Sequence, residues 1–272
     1  MKILISTDIE GVAGVFHPEQ VRPGNGEYER ARIWMTNEAN AAVRAALDGG
    51  AKEVIVNDSH GSFRNIIADR IDPRALLLQG KPRYLSMASG VERAPDAMFM
   101  IGYHSKSKTR GILAHTINSF AFSRIWLNDM ELGEAGLYGA LAGEFGVPVA
   151  LIAGDDVFIE ETLPLFPEVT FVETKQAEGQ NSGLSITPEE SCRAIYDAAR
   201  MLVENPSQWQ PFKIEPPITC RLQTQTPALA DLFGQLPIVE RLASDEVGFN
   251  AESVQSAIRI LNCFSAMSTM LK

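Results

Sequence analysis

The stretch Lys2-Ile3-Leu4-Ile5-Ser6-Thr7-Asp8-Ile9-Glu10-Gly11 carries a short apolar run that stops at two carboxylates, two residues apart. A run of this length reads as a buried strand. The pair at its end admits three readings: a solvated turn, a phosphatase nucleophile with its acid, or half of a metal site. If the strand stays extended through Ile9, Asp8 and Glu10 share a face, because side chains alternate with period two.

The same pattern recurs along the chain. EVIVND (53–58) is rich in β-branched residues, and ALLLQG (75–80), AMFMIGYH (97–104) and VPVALIAGDD (147–156) are further short apolar runs. They are continuous and not alternating, which predicts strands buried on both faces of a mostly parallel sheet. Helical segments lie between them. Residues 26–50 read as a long helix stopped at Gly49-Gly50, and 133–146 as a helix of small residues. RIWLNDMEL (124–132) reads as a hairpin turning at Asn128-Asp129. The fold class expected is α/β, with helices on both faces of the sheet and a smaller C-terminal α+β segment.

The last third has another texture. ETKQAEGQNSGLS (173–185) is polar and reads as a loop. Thr187-Pro188-Glu189-Glu190 has the features of a capping box opening a helix to about Glu204. A proline-rich connector follows, then a segment ending in a helix expected from about Asn250. The division expected is a metal-binding catalytic region over 1–160 and an α+β region over 161–272, either as two parts or as one integrated domain.

Composition narrows the function. The chain has 272 residues, enough to bury a large core, and 45% hydrophobic residues, ordinary for a globular protein. Asp and Glu outnumber Lys and Arg by 34 to 24, a formal charge of -10. That argues against a phosphate-tracking surface, so no nucleic-acid partner is expected. No apolar run approaches the ~18 residues that span a bilayer, and Asp8 and Glu10 interrupt any signal-peptide core, so no membrane partner is expected. Cys192, Cys220 and Cys263 are odd in number and far apart. They read as free thiols in a reducing compartment, which predicts a cytoplasmic protein.

Several strands end in groups able to bind metal: Asp8 and Glu10 after the first, Asp58 and His60 after the second, His104 after AMFMI. In open α/β sheets, sites lie outside the carboxyl ends of the strands, so these groups are expected in one crevice. Imidazoles mixed with carboxylates suit zinc and similar divalent ions. His115 lies in the apolar GILAHTI, where a core histidine is the plain alternative, and His17 precedes a proline in a loop. Glu134, in GEAG, reads by itself as a charge favoured at a helix N-terminus.

The segments TDIEG, NDSHG, GYHS, AHTI and NDMELGEAG occur in this order and at these spacings. In them the chain resembles the bacterial zinc-dependent D-aminopeptidases associated with dipeptide-uptake operons, densely to about residue 156 and more loosely beyond. The resemblance implies two zinc ions held by Asp8, Glu10, His60, His104 and Glu134, with His115 as the catalytic histidine. It also implies short peptide substrates with an N-terminal D-amino acid and a ring-like, decameric homo-oligomer. Family members commonly carry valine and methionine around the first aspartate, where this chain has Thr7 and Ile9. Neither side chain would be a ligand.

Two alternatives come from other classes. A haloacid-dehalogenase-like magnesium phosphatase fits Asp-x-Glu-Gly after a first strand and Asp155-Asp156 later, but has glutamate where that family needs aspartate and leaves the histidines unexplained. A non-enzymatic peptide-binding component needs fewer metal-capable groups.

Overall fold

The computed structural model describes residues 1–272. Its strands are β1 (Lys2–Thr7), β2 (Glu53–Asp58), β3 (Leu76–Leu78), β4 (Ala97–Ile101), β5 (Phe122–Leu127), β6 (Met130–Glu131), β7 (Val149–Asp155), β8 (Thr170–Gly179), β9 (Ser182–Ser185), β10 (Ile218–Thr224), β11 (Glu240–Ala243) and β12 (Glu246–Ala251). The helices are α1 (Pro18–Val21), α2 (Gly26–Asp48), α3 (Glu134–Glu144), α4 (Asp156–Thr162), α5 (Pro188–Glu204), α6 (Pro227–Phe233) and α7 (Val254–Met267).

A seven-stranded sheet runs in the order β3-β2-β1-β4-β7-β8-β9, parallel except for β9. An antiparallel five-stranded sheet, β11-β12-β10-β5-β6, packs beyond it. Continuous apolar runs make the central strands because both faces are covered. Ile3 and Ile5 of β1 join one core with α2 and α5, while Leu4 points into the other core with α3, α7 and the second sheet. The fold is therefore α/β, with helices on both faces. Each sheet takes strands from both sides of residue 160.

Local signals explain the element ends. Asn25 caps α2 by accepting from the Tyr28 N–H, and the chain leaves that helix through Gly50 at φ +98°, a left-handed position that glycine takes without strain. Thr187 caps α5 through the Glu190 N–H. The β5–β6 hairpin turns at Asn128 and Asp129, both at positive φ.

Two expectations are corrected. The polar stretch 173–185 is not a loop but the end of β8 and the hairpin partner β9. Most of its polar side chains are exposed, but Thr174 and Lys175 are buried because they find polar partners: Thr174 donates to the Gly11 carbonyl at 2.7 Å, and Lys175 Nζ donates to the carbonyls of Glu10 and Val15. The last helix starts at Val254, not Asn250, because β12 stays paired with β10 through Ala251 and Ser253 supplies the cap.

One buried acid stands apart from the crevice. Glu38 of α2 is fully buried, where it accepts from the Ala13 N–H at 3.0 Å and the Ser191 hydroxyl at 2.6 Å. Burial pushes its carboxyl up to about 7, against the opposing pull of those hydrogen bonds. The folded protein thus keeps a proton that the unfolded chain loses above about 4.5. Stability from this group is full below that pH and is lost as pH rises through 7, by about 3 kcal/mol in total. Glu38→Gln mimics the protonated acid, so it should match the parent in urea unfolding at pH 5 and exceed it at pH 8. Parallel pH profiles for the two proteins would contradict this.

Candidate metal centre

The order of strands makes the crevice. From β1 the chain crosses to β2 on one side, while β4 lies on the other and leads on to β7. The switch point is therefore between β1 and β4, and side chains just past β1, β2 and β4 meet above it. Asp8 and Glu10 do not lie on an extended strand, since β1 ends at Thr7 and residues 9–14 turn. The turn rests on the segment after β4: Asp8 N–H donates to the Ile101 carbonyl at 2.8 Å and Gly11 N–H to that of Gly102 at 2.7 Å. A Cβ on Gly11 would collide with the Tyr103 carbonyl, and Gly102 at φ +71° lies against the Asp8 backbone. The two loops that carry Asp8, Glu10 and His104 are thereby locked together.

Asp8, Glu10, His60, His104, His115 and Glu134 are all brought to this point. His60 Nδ1 lies 3.1 Å from Asp8 Oδ1 and 3.0 Å from Glu10 Oε2. His104 Nε2 lies 3.6 Å from Asp8 Oδ2 and 3.5 Å from Glu134 Oε1, and His115 Nε2 lies 3.6 Å from that same Glu134 oxygen. The His104 and His115 rings stack at 4.2 Å. Asp8, Glu10, His104 and Glu134 are buried, whereas His60 and His115 keep some contact with the cleft. Asp8, Glu10 and His104 form one group able to hold a metal ion, and His104, His115 and Glu134 form another.

Each imidazole is oriented by the backbone. His60 Nε2 faces the Val21 carbonyl at 2.8 Å, His104 Nδ1 that of Ser105 at 3.0 Å, and His115 Nδ1 that of Leu113 at 3.0 Å. A carbonyl only accepts, so each of these nitrogens carries the hydrogen. In the neutral rings the other nitrogen then presents a lone pair to the carboxylates. Such an outer hydrogen bond is the usual support of a metal-binding histidine. His104 Nε2 is buried with no hydrogen-bond partner, and Glu10 Oε2 is buried facing His60 Nδ1 at 3.0 Å. Buried acceptors facing acceptors are costly, and a cation among them removes the conflict. The oxygen and imidazole donors fit divalent cations of the zinc type.

Without a cation, protons take its place. The Glu10 and Asp8 carboxylates hold His60 well above its ordinary value, against the effect of burial. Burial would raise Glu10, but the charge and hydrogen bond of His60 pull it well below the usual range. Burial, then Glu10, raises Asp8. Burial, then His115, lowers His104 and keeps it neutral.

Other candidate residues have structural partners. Asp58 accepts from the Asn65 and Ile66 N–H groups and from Gln79. Asp155 caps α4 through Phe158 and accepts from Ile112 at 2.7 Å, and Asp156 accepts from Ala177. That leaves the phosphatase reading without its late carboxylates. His17 caps α1. Glu134 is the first residue of α3, but its carboxylate turns back to accept from the Ile117 N–H at 2.6 Å and faces the cluster. Lys175, which braces the 8–16 turn, escaped the sequence reading because no spacing or periodicity links residue 175 to residue 10.

Comparison with known proteins agrees with the site. The family described as D-aminopeptidase matches residues 1–263. The D-aminopeptidase of Bacillus subtilis (strain 168) is 30% identical over 274 residues, spanning 99% of this chain and 96% of that protein. A solved structure of the Zn-dependent D-aminopeptidase DppA from Bacillus subtilis, a self-compartmentalizing protease, superposes with a TM-score of 0.95 at 27% identity, over 99% of this chain and 98% of that one.

Since protons stand in for cations, binding must expel them. Titrating zinc into chelator-stripped protein at neutral pH, in buffers of different ionisation enthalpy, should show net proton release by calorimetry. Heats that do not depend on the buffer would contradict this.

Proposed function

The chain belongs to the D-aminopeptidase family, and from that premise we propose a zinc-dependent hydrolase that removes the N-terminal residue of short peptides, with preference for a D-amino acid there. The observation that carries this reading is the meeting of three carboxylates with the bare nitrogens of three histidines in one partly buried space. Asp8, Glu10, His60, His104 and Glu134 would hold two zinc ions. Asp8 would be placed to serve both ions, since one of its oxygens faces His60 and the other His104. Two such ions would polarise the scissile carbonyl and lower the pKa of an attacking water. The zinc dependence of the DppA structure supports this choice of metal.

His115 is proposed as the catalytic residue. Its Nδ1–H is held by the Leu113 carbonyl, its ring lies flat on His104, and Nε2 faces Glu134 beside the open cleft. A proton from the reacting groups is taken up and returned at Nε2.

The 1–160 and 161–272 regions are proposed to work as one integrated domain, since β8 braces the metal-binding turn and Asn118 beside the site is tied to Ser265 and Ser268 after it. The self-compartmentalizing character of the DppA structure supports a ring-like homo-oligomer enclosing its sites. No helix is long and apolar enough to cross a membrane. The free cysteines support a cytoplasmic setting.

The test compares release of the first residue from D-led and L-led dipeptides by the zinc-loaded parent and by His115→Ala, with metal content measured on the same preparations. The parent should favour the D-led peptide. His115→Ala should keep its metal and fold and lose about 10²- to 10⁴-fold in kcat. Near-normal kcat would remove His115 from the mechanism, and a lost ion would make it a ligand.

A further inference from the structure

Above the carboxylate and histidine cluster opens a cleft of about 550 Å³, into which Asp8, His60, His115 and Glu134 all reach. Phe63, Lys81 and Arg83 also line it, so a strongly acidic floor meets a cationic edge. Both cations lie on one aromatic ring: Lys81 Nζ is 4.3 Å and Arg83 Cζ 4.1 Å from the centre of Phe63.

Their hydrogen bonds separate their roles. Arg83 is anchored, donating to the side-chain oxygen of Asn57 and to the carbonyls of Asp58 and Leu78. None of these partners is charged, so its positive charge meets no carboxylate directly. Lys81 makes no ion pair and no hydrogen bond with any other residue; its ammonium lies over the Phe63 ring at the edge of the cleft. Partial desolvation against the cleft wall, and then Arg83, lower its pKa, against the pull of Glu134. Two adjacent cations with no carboxylate in direct contact repel each other, and an anion between them removes that repulsion.

The peptidase reading, on which this inference rests, supplies the anion. A peptide whose amino end lies on the cluster carries one other obligatory charge, the carboxylate at its far end. In a short peptide that group stays within the cleft. We propose that Lys81 is a specificity-determining residue that receives the C-terminal carboxylate of a short peptide, with Arg83 holding Phe63 and the local positive potential beside it. The cleft then selects short peptides with a free carboxylate over longer or amidated ones, because a lysine with no anion gains nothing from their neutral chain. An N-terminal group on the floor and a C-terminal group at the cationic edge also fix the direction in which the peptide lies.

The experiment uses the zinc-loaded full chain with D-alanylglycine and D-alanylglycine amide, comparing the parent with Lys81→Met. Lys81 has no ion pair or hydrogen bond to lose, and a methionine can keep contact with the Phe63 ring, so thermal midpoint and zinc content should match the parent. A charge-assisted contact is typically worth about 10- to 100-fold in affinity. Lys81→Met should therefore raise KM for the free acid by about that factor, with kcat and the amide's KM nearly unchanged. The same acid-to-amide ratio in both proteins would overturn the role of Lys81 and leave the peptidase reading intact. A parent that cleaves neither compound would overturn the peptidase reading and this proposal with it.

Discussion

Electrostatic conflict at one point organises this molecule. Three carboxylates and the bare nitrogens of three histidines converge past the ends of β1, β2 and β4, in a place where burial makes uncompensated charge expensive. Folding energy alone gives no reason to assemble such a group. Protons can relieve it in part, by charging His60 and neutralising Asp8, but His104 Nε2 is still left without a partner. Divalent cations would relieve it, and this is why the proposed chemistry and the observed geometry fit one another.

Much of the fold holds the conflict in place. Backbone carbonyls of Val21, Ser105 and Leu113 orient the three rings, so the histidines cannot turn away to find other acceptors. Gly11 and Gly102 let two loops approach more closely than any side chain would allow. Lys175, fully enclosed, ties the Glu10 and Val15 carbonyls from a strand on the far side of the sheet order. Burial lowers that lysine to about 8, against the pull of Asp155, Glu38 and Glu10. The protein thus accepts a buried cation in order to keep the turn rigid. Preorganisation of this kind keeps the groups in place before substrate arrives.

The parts of this arrangement differ in how far the sequence exposes them. The central strands were legible because strands buried on both faces read as unbroken apolar runs. Asp8, Glu10, His60 and His104 followed, since each stands one to three residues beyond such a run. Glu134 and His115 were not separable from a helix-end charge and a core histidine by pattern alone; family resemblance pointed to them, and the structure places both at the cluster. The β8–β9 hairpin was missed because its polarity looked like a solvated loop. Its Thr174 and Lys175 are polar for the opposite reason, being buried against carbonyls that only the tertiary fold supplies. The start of α7 was misplaced because Asn250 is held in β12 by pairing with β10, a contact of long sequence separation. Lys81 was invisible for a related cause: a lysine after a glycine looks like any surface charge until the cleft beside it is seen.

The central claim is that two cations belong among these side chains. The most direct measurement is a crystal structure of the protein purified without chelator, with anomalous scattering recorded on both sides of the zinc absorption edge. The account predicts two zinc peaks per chain within the group formed by Asp8, Glu10, His60, His104 and Glu134, with Asp8 between them. A cluster without anomalous density and His60 held only by proton-mediated contacts to Asp8 and Glu10, or zinc bound elsewhere on the chain, would contradict it.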